Sequence, residues 1–253
     1  MMRTQVVVVI PARMGSSRLP GKPLLEIGDK PVVQHVWERA QEVITADHVV
    51  ISTDSEEIQR RAQEWGARAV LTDSCQTGTD RTALTMVRYF RDLPGNTVVV
   101  NLQGDLPFVE AAVVDSLVET LMEDKSTCIA TPVIRKPAED RLWESPDTVK
   151  ALMGSGGHGQ YFSRSPIPHG IPKIGYWFHH YGVYAFRNRY LQLLWSLPEG
   201  RWEHAEGLEQ LRAVEAGMRV KLYETYCQPG IEINTPADLA QAREFYAKQE
   251  IAA

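Results

Sequence analysis

The chain opens with an apolar run that does not alternate. Residues 6–10 are unbroken aliphatic side chains and end at Pro11. A strand covered on both faces needs no polar alternation, so this run predicts a buried strand of the parallel-sheet kind. The period then changes. Across 31–44, Val32, Val33, Val36, Trp37 and Ala40 recur at helical spacing, behind a proline suited to a first helical position. Residues 48–53 return to strand, and Ser55 is placed to cap a helix that runs to about Trp65 and stops at Gly66. A short strand at 67–71, a helix at 79–90, a strand at 97–102 and a helix at 110–122 continue the alternation. Strands joined by helices of this length imply a mostly parallel sheet with right-handed crossovers.

The pattern changes near Cys128. Strand-like stretches at 128–134, 148–152 and 177–186 follow one another, and the Gly-, Pro- and His-rich section 154–175 reads as irregular. A helix at 201–216, a strand at 220–224 and a helix at 236–248 close the chain, the last with Thr235 and Asp238 as a variant capping box. The expected fold class is α/β: a mostly parallel sheet flanked by helices, with an added mixed-strand lobe. Residues 1–127 and 217–253 form the core and about 128–216 the lobe, within one domain.

Composition narrows the chemistry. The 253 residues are 43% hydrophobic, enough to bury a core, and the net charge is −5. No overall basic field recruits nucleic acid or an acidic membrane, so any cationic chemistry is local. Three widely spaced cysteines, Cys75, Cys128 and Cys227, form neither a metal pattern nor a paired framework, which fits a reducing cytoplasm. No apolar stretch approaches the roughly 20 residues that cross a bilayer. Before the first strand stands a lone Arg3 rather than a secretory leader.

The loop after the first strand carries Arg13, Arg18 and Lys22, with Gly15 and Gly21 between them. Ligands of open α/β sheets bind past strand carboxyl ends, and cations with flexible backbone there suit a polyphosphate. It is not a P-loop. Five residues, not four, separate Gly15 from Gly21, and Pro23 stands where a magnesium-binding hydroxyl is needed. A solvated basic loop is the plainer alternative. The strand at 97–102 runs into Gln103-Gly104-Asp105, a carboxylate that can bring Mg²⁺ to phosphates or simply close a turn. Thr77-Gly78-Thr79-Asp80-Arg81 can read a base or ribose, or merely cap a helix. Arg164 can clamp a carboxylate, and His180, Tyr184, Glu209 and Gln210 are the kind of set that reads sugar hydroxyls.

Taken together, IPARMGSSRLPGKPL, STD at 52–54, TGTDR, NLQGDLP, YFSRSPIP, HHYGVYAF, LEQLRAVEAG and INTPADL resemble the CMP-Kdo synthetases, the 3-deoxy-manno-octulosonate cytidylyltransferases of lipopolysaccharide synthesis. The resemblance runs from about residue 6 to 243 in family order. It implies a sheet-based nucleotide domain with a dimerising lobe, and so a homodimer. It also implies transfer of CMP from CTP to the anomeric hydroxyl of the acid sugar Kdo, with Mg²⁺ as cofactor. By the same resemblance Arg13 and Lys22 bind the phosphates with Arg18 close by, and Thr77, Gly78 and Arg81 surround the cytosine and ribose. Asp105 is a magnesium ligand; Arg13, Lys22 and Asp105 are the expected catalytic set. Gln103, Arg164, His180, Tyr184, Glu209 and Gln210 hold the sugar.

Two positions depart from the family. Leu106 stands where the family has Glu, and Asn234 where it has a second magnesium-binding Asp. Asn234 keeps a carbonyl oxygen for the metal but brings no charge. These departures motivate two alternatives: another acidic acceptor, such as 8-amino-Kdo or a phosphonate, or a non-catalytic nucleotide-binding relative.

Overall fold

The computed structural model describes residues 3–16, 18–170, 173–227 and 230–252, which form two compact units. The first unit comprises 5–93, 101–112 and 229–253. Its founding strand, β1 (Val6–Ala12), is buried along its whole length, as the unbroken apolar run requires. After the basic loop come a 3-10 turn at Lys22–Leu24, a hairpin of β2 (Glu26–Ile27) and β3 (Lys30–Pro31), and α1 (Val32–Gln41). β4 (His48–Thr53), α2 (Glu56–Glu64), β5 (Ala69–Leu71) and α3 (Gly78–Tyr89) follow. β1 and β4 pair in parallel with Val8 opposite Val49 and Ile10 opposite Ile51, and β4 pairs in parallel with β5. β6 (Val98–Leu102) lies next to β1 in the strand order, and its last two residues belong to this unit.

Two local devices carry the helices. The Ser55 hydroxyl accepts from the Ile58 amide at 3.3 Å and starts α2. Thr77 and Asp80 form a reciprocal capping box at the start of α3, Thr77 Oγ1 accepting from the Asp80 amide at 3.0 Å. Both satisfy amides that the first helical turn leaves without partners.

The second unit holds 94–100 and 113–228. It contains most of α4 (Ala111–Glu123), then β7 (Ile129–Pro137), β8 (Lys150–Met153), β9 (Gly159–Ser163), β10 (Tyr176–His180) and β11 (Val183–Arg187). α5 (Asn188–Ser196), α6 (Arg201–Glu206), α7 (Gln210–Glu215) and β12 (Val220–Glu224) complete it. β7 is the hub. It pairs antiparallel with β10 and β11 and parallel with β12, while β8 bridges β10 and β9, antiparallel to both. The final helix, α8 (Pro236–Ala252), returns to the first unit.

The α/β class with a parallel sheet and a mixed-strand lobe is what the sequence predicts. The division differs in place: α4 beyond Ala112 and β12 fall in the second unit with the mixed strands. β12 does so because it hydrogen-bonds along β7 from Val220 to Glu224. The single strand expected at 177–186 is two, β10 and β11, separated by Tyr181-Gly182 and both paired to β7. The helix expected at 201–216 is also two, parted at Gly207, whose left-handed φ of 63° ends α6. The section 154–175 is not wholly irregular, since β9 lies inside it, and the sequence reading omitted α5 and the β2–β3 hairpin.

One satellite core bears on function. Leu19, Ile27, Val32, Ile233, Leu239 and Ala242 form a buried cluster against Leu25, Phe108 and Tyr246. Leu19 follows Arg18 and Ile233 precedes Asn234, so the cluster ties the basic loop to the segment ahead of α8. Burying each of its Leu, Ile and Val side chains stabilises by about 1.5–3 kcal/mol.

Candidate active site

The carboxyl ends of β1 and β6, the N-terminus of α3 and the segment before α8 converge on a cleft of about 320 Å³. Its wall includes Arg13, Arg18, Lys22, Thr77, Gly78, Arg81, Gln103, Asp105 and Asn234. Every residue predicted for the nucleotide and the metal therefore lies in one cleft, within the first unit.

The close packing has a backbone cause. A Cβ on Gly104 would stand 2.7 Å from the Pro11 carbonyl oxygen, so only glycine lets the turn after β6 approach the end of β1. A Cβ on Gly78 would likewise meet the Gln103 amide at 2.9 Å. Buried Asn101 donates to Thr79 Oγ1 at 3.1 Å and links β6 to the first turn of α3. The Asp105 carbonyl accepts from the Ile233 amide at 3.0 Å, which brings the segment before α8 alongside.

Charge in the cleft is already partly matched. Lys22 Nζ donates to Asp105 Oδ2 at 2.6 Å and to Asn234 Oδ1 at 3.3 Å. Arg18 donates to the same Asn234 oxygen at 3.2 Å, and Arg13 to the Gln76 carbonyl at 3.3 Å. Both arginines are otherwise exposed at the rim. Arg81 differs. Only 2% exposed, it pairs with Asp54 at 2.6 Å and donates to Thr72 Oγ1 at 2.6 Å, so it fixes the wall while its charge is matched by Asp54. Asp54 ends the STD stretch, which gives that motif a physical role. Thr77 both caps α3 and lines the cleft, so the two readings of its motif hold together.

Leu106 is 2% exposed in the core and is not part of the cleft wall. Its replacement of a Glu therefore takes no charge from that wall. Glu232 was missed by the sequence reading. Its Oε1 accepts from Asn234 Nδ2 at 2.7 Å, and desolvation of its carboxyl, then the Asp105 charge, raise its pKa above the usual carboxylate value. Its place two residues before Asn234 is the one local signal, since extended chain puts such side chains on one side.

Of the residues assigned to the acceptor, Gln103 lines this cleft; the other five belong to the second unit. There Tyr184 Oη donates to Gln210 Oε1 at 3.0 Å, and the buried Gln210 Nε2 has no partner among the described residues. An unmatched donor of that kind suits a ligand oxygen. Glu209 sits half-buried just ahead of α7. The Arg164 guanidinium rests on the carbonyls of Glu206 and Pro146, both at 3.2 Å, with no carboxylate on it among the described residues. Glu206 accepts from Ser163 Oγ at 2.6 Å and the Arg164 amide at 3.0 Å. Lys150 is fully buried and donates to three carbonyls, of Ser145, Thr148 and Arg164. Burial, then the nearby Arg164 charge, lower its pKa. Neither Glu206 nor Lys150 stood out in the sequence: the groups that Glu206 meets lie more than 40 positions away, and Lys150 is bonded only to backbone carbonyls.

His180 is buried with Nε2 2.9 Å from Thr131 Oγ1. Thr131 Oγ1 also donates to the Val183 carbonyl at 2.8 Å, and the tautomer with the ring proton on Nε2 satisfies both contacts. Burial, then His179, push its pKa down to about 3. It is neutral at pH 7 and offers an acceptor, not a charge.

The cytidylyltransferase family profile matches residues 7–220. The 3-deoxy-manno-octulosonate cytidylyltransferase of Anaeromyxobacter sp. (strain Fw109-5) is 39% identical over 96% of this chain and 97% of its own. That of Escherichia coli is 38% identical over 97% and 98%. A structure of CMP:2-keto-3-deoxy-manno-octonic acid synthetase complexed with CTP superposes with a TM-score of 0.90 at 37% identity, covering 97% of this chain and all of that one. A cytidylyltransferase from Leptospira borgpetersenii, at 17% identity and a TM-score of 0.61, shares the fold.

Proposed function

The chain belongs to the cytidylyltransferase family, and from that premise we propose that it transfers CMP from CTP to the anomeric hydroxyl of Kdo, giving CMP-Kdo for lipopolysaccharide synthesis. The observation that carries this is the cleft, where Arg13, Arg18 and Lys22 meet Asp105 at two strand ends. In the reaction the sugar hydroxyl gives up its proton to water, its oxygen forms a bond to the α-phosphorus, and the bond from that phosphorus to the pyrophosphate oxygen breaks. Positive charge held near the phosphates neutralises the leaving pyrophosphate, and a fixed cleft removes the cost of orienting it. Lys22 is the central cation, and Arg81 with Thr77 and Gly78 forms the wall assigned to cytosine and ribose. Arg164, Tyr184, Glu209 and Gln210 are assigned to the acceptor, with His180 a neutral acceptor of a hydroxyl.

Magnesium takes oxygen ligands and keeps several waters. Asp105 Oδ2 and Asn234 Oδ1 already converge on one ammonium, so the donor set fits that ion. No cluster of three His, Cys, Asp or Glu side chains is present among the described residues, which leaves the remaining positions to water and phosphate oxygens. Bound there, Mg²⁺ would polarise the phosphates and offset their charge. The family resemblance supports a homodimer, and three widely spaced cysteines support a reducing cytoplasm.

The test is pyrophosphate release with CTP and Mg²⁺ on Kdo, 8-amino-Kdo, sialic acid and small phosphonates. Turnover on Kdo at least equal to the others is expected. Activity only with another acid would reassign the acceptor, and CTP binding without release from any acceptor would leave a non-catalytic relative.

A further inference from the structure

Asn234 contributes an oxygen to the phosphate cleft without contributing charge, and its amide is held at both ends. Its Oδ1 accepts from Arg18 at 3.2 Å and from Lys22 at 3.3 Å, while its Nδ2 donates to Glu232 Oε1 at 2.7 Å. Arginine and lysine only donate, and an ionised carboxylate only accepts. The three contacts therefore allow a single amide orientation, with oxygen toward the cations. Arg18 and Lys22 favour that orientation from the cleft side, and Glu232 holds it from behind by accepting from Nδ2. Backbone contacts fix the rest of the segment: the Asn234 amide donates to Asp238 at 3.0 Å and Ile233 is bonded to the Asp105 carbonyl.

We propose that Glu232 is a positioning residue of the phosphate site. It orients the Asn234 carbonyl oxygen into the cleft, and its carboxylate supplies, from two residues away, the negative charge that Asn234 lacks. The inference rests on the cytidylyltransferase reading for its ligand, CTP with a divalent cation. A carboxylate hydrogen-bonded to a ligating amide pushes electron density toward the amide oxygen, as partners behind metal ligands do generally. With Asp105 it also restores a second anion beside Arg18 and Lys22, so the site's cation affinity depends on two carboxylates, not one.

Charge arithmetic gives the test. Wild type carries Asp105 and Glu232; Glu232→Gln removes one carboxylate, Asn234→Asp adds one, and the double variant has the wild-type number. Mn²⁺ binding to the CTP-loaded protein is read from the free-ion EPR signal, beside the Mg²⁺ concentration that gives half-maximal pyrophosphate release. Glu232→Gln should weaken Mn²⁺ binding about tenfold, the low end for a group behind a metal ligand. Asn234→Asp should tighten it, and the double variant should return close to wild type. Glu232→Ala should be weaker than Glu232→Gln, because it loses the orienting acceptor as well as the charge. Wild-type Mn²⁺ affinity in Glu232→Gln, or a double variant that tracks Asn234→Asp, overturns the proposal. Melting should be unchanged in Glu232→Gln, since glutamine keeps an acceptor oxygen for Asn234 Nδ2. The correct Mn²⁺ order in a protein that does not activate Kdo would support the role of Glu232 and reject the acceptor reading, so the two fail separately.

Discussion

At the residue scale, Lys22 is where the site's charges meet. Its ammonium is bonded to Asp105 and Asn234 and is only 15% exposed, so the free cleft is internally neutralised around it. Lys22→Ala removes a cation from the phosphates and also leaves Asp105 facing them unpaired. A hydrogen bond to a charged group is worth about 1.5–3 kcal/mol, so CTP affinity by calorimetry should fall roughly tenfold to a hundredfold. Unaltered binding would remove Lys22 from the phosphate site. The sequence made Lys22 and its two arginines legible because they sit within one loop after an obvious strand. It did not make Glu232 legible as part of the site. Asp105 lies 83 positions from Lys22 and Asn234 lies 212 positions from it, and no local pattern predicts which distant oxygens will meet one ammonium.

At the element scale, the start of α3 combines a helix cap with a ligand wall. Thr77→Ala breaks the capping box and should cost about 1 kcal/mol in urea denaturation. CTP should bind more weakly as well, because Thr77 and Gly78 line the cleft. Equal denaturation midpoints for variant and wild type would show that the cap contributes nothing. Elements with a clear local hydrophobic pattern were legible: β4 is observed at His48–Thr53 and β12 at Val220–Glu224, where the pattern put them. The misread elements turn on distant partners. β10 and β11 look like one apolar strand in sequence, yet each pairs separately with β7. β9 lies in a glycine-rich stretch and is defined by its ladder with β8, not by its own side chains.

At the scale of the whole molecule, two rings make stability depend on pH. Burial pushes His179 down to about 4 and His180 to about 3, so both stay neutral in the folded second unit. The unfolded chain binds protons at these positions below an ordinary histidine pKa of about 6.5, and the folded chain does not. Stability is therefore fully present above about pH 6.5 and falls as pH drops toward 4 and then 3. The expected loss at pH 5 is on the order of 2 kcal/mol for each ring. Denaturation at pH 7.5 and pH 5 measures it, and His180→Asn should flatten the dependence. An equally steep fall in that variant would place the titration elsewhere. The sequence by itself determined the α/β class, the buried first strand and the basic loop at its carboxyl end, because hydrophobic period, caps and turns act over a few residues. Only the tertiary structure decided that Leu106 faces the core, that Arg81 is spent on Asp54, and that Asn234 is turned by Glu232 toward Lys22 and Arg18. Those outcomes depend on strand order, on a glycine that lets β6 approach β1, and on a buried cluster that draws the far end of the chain against the first loop.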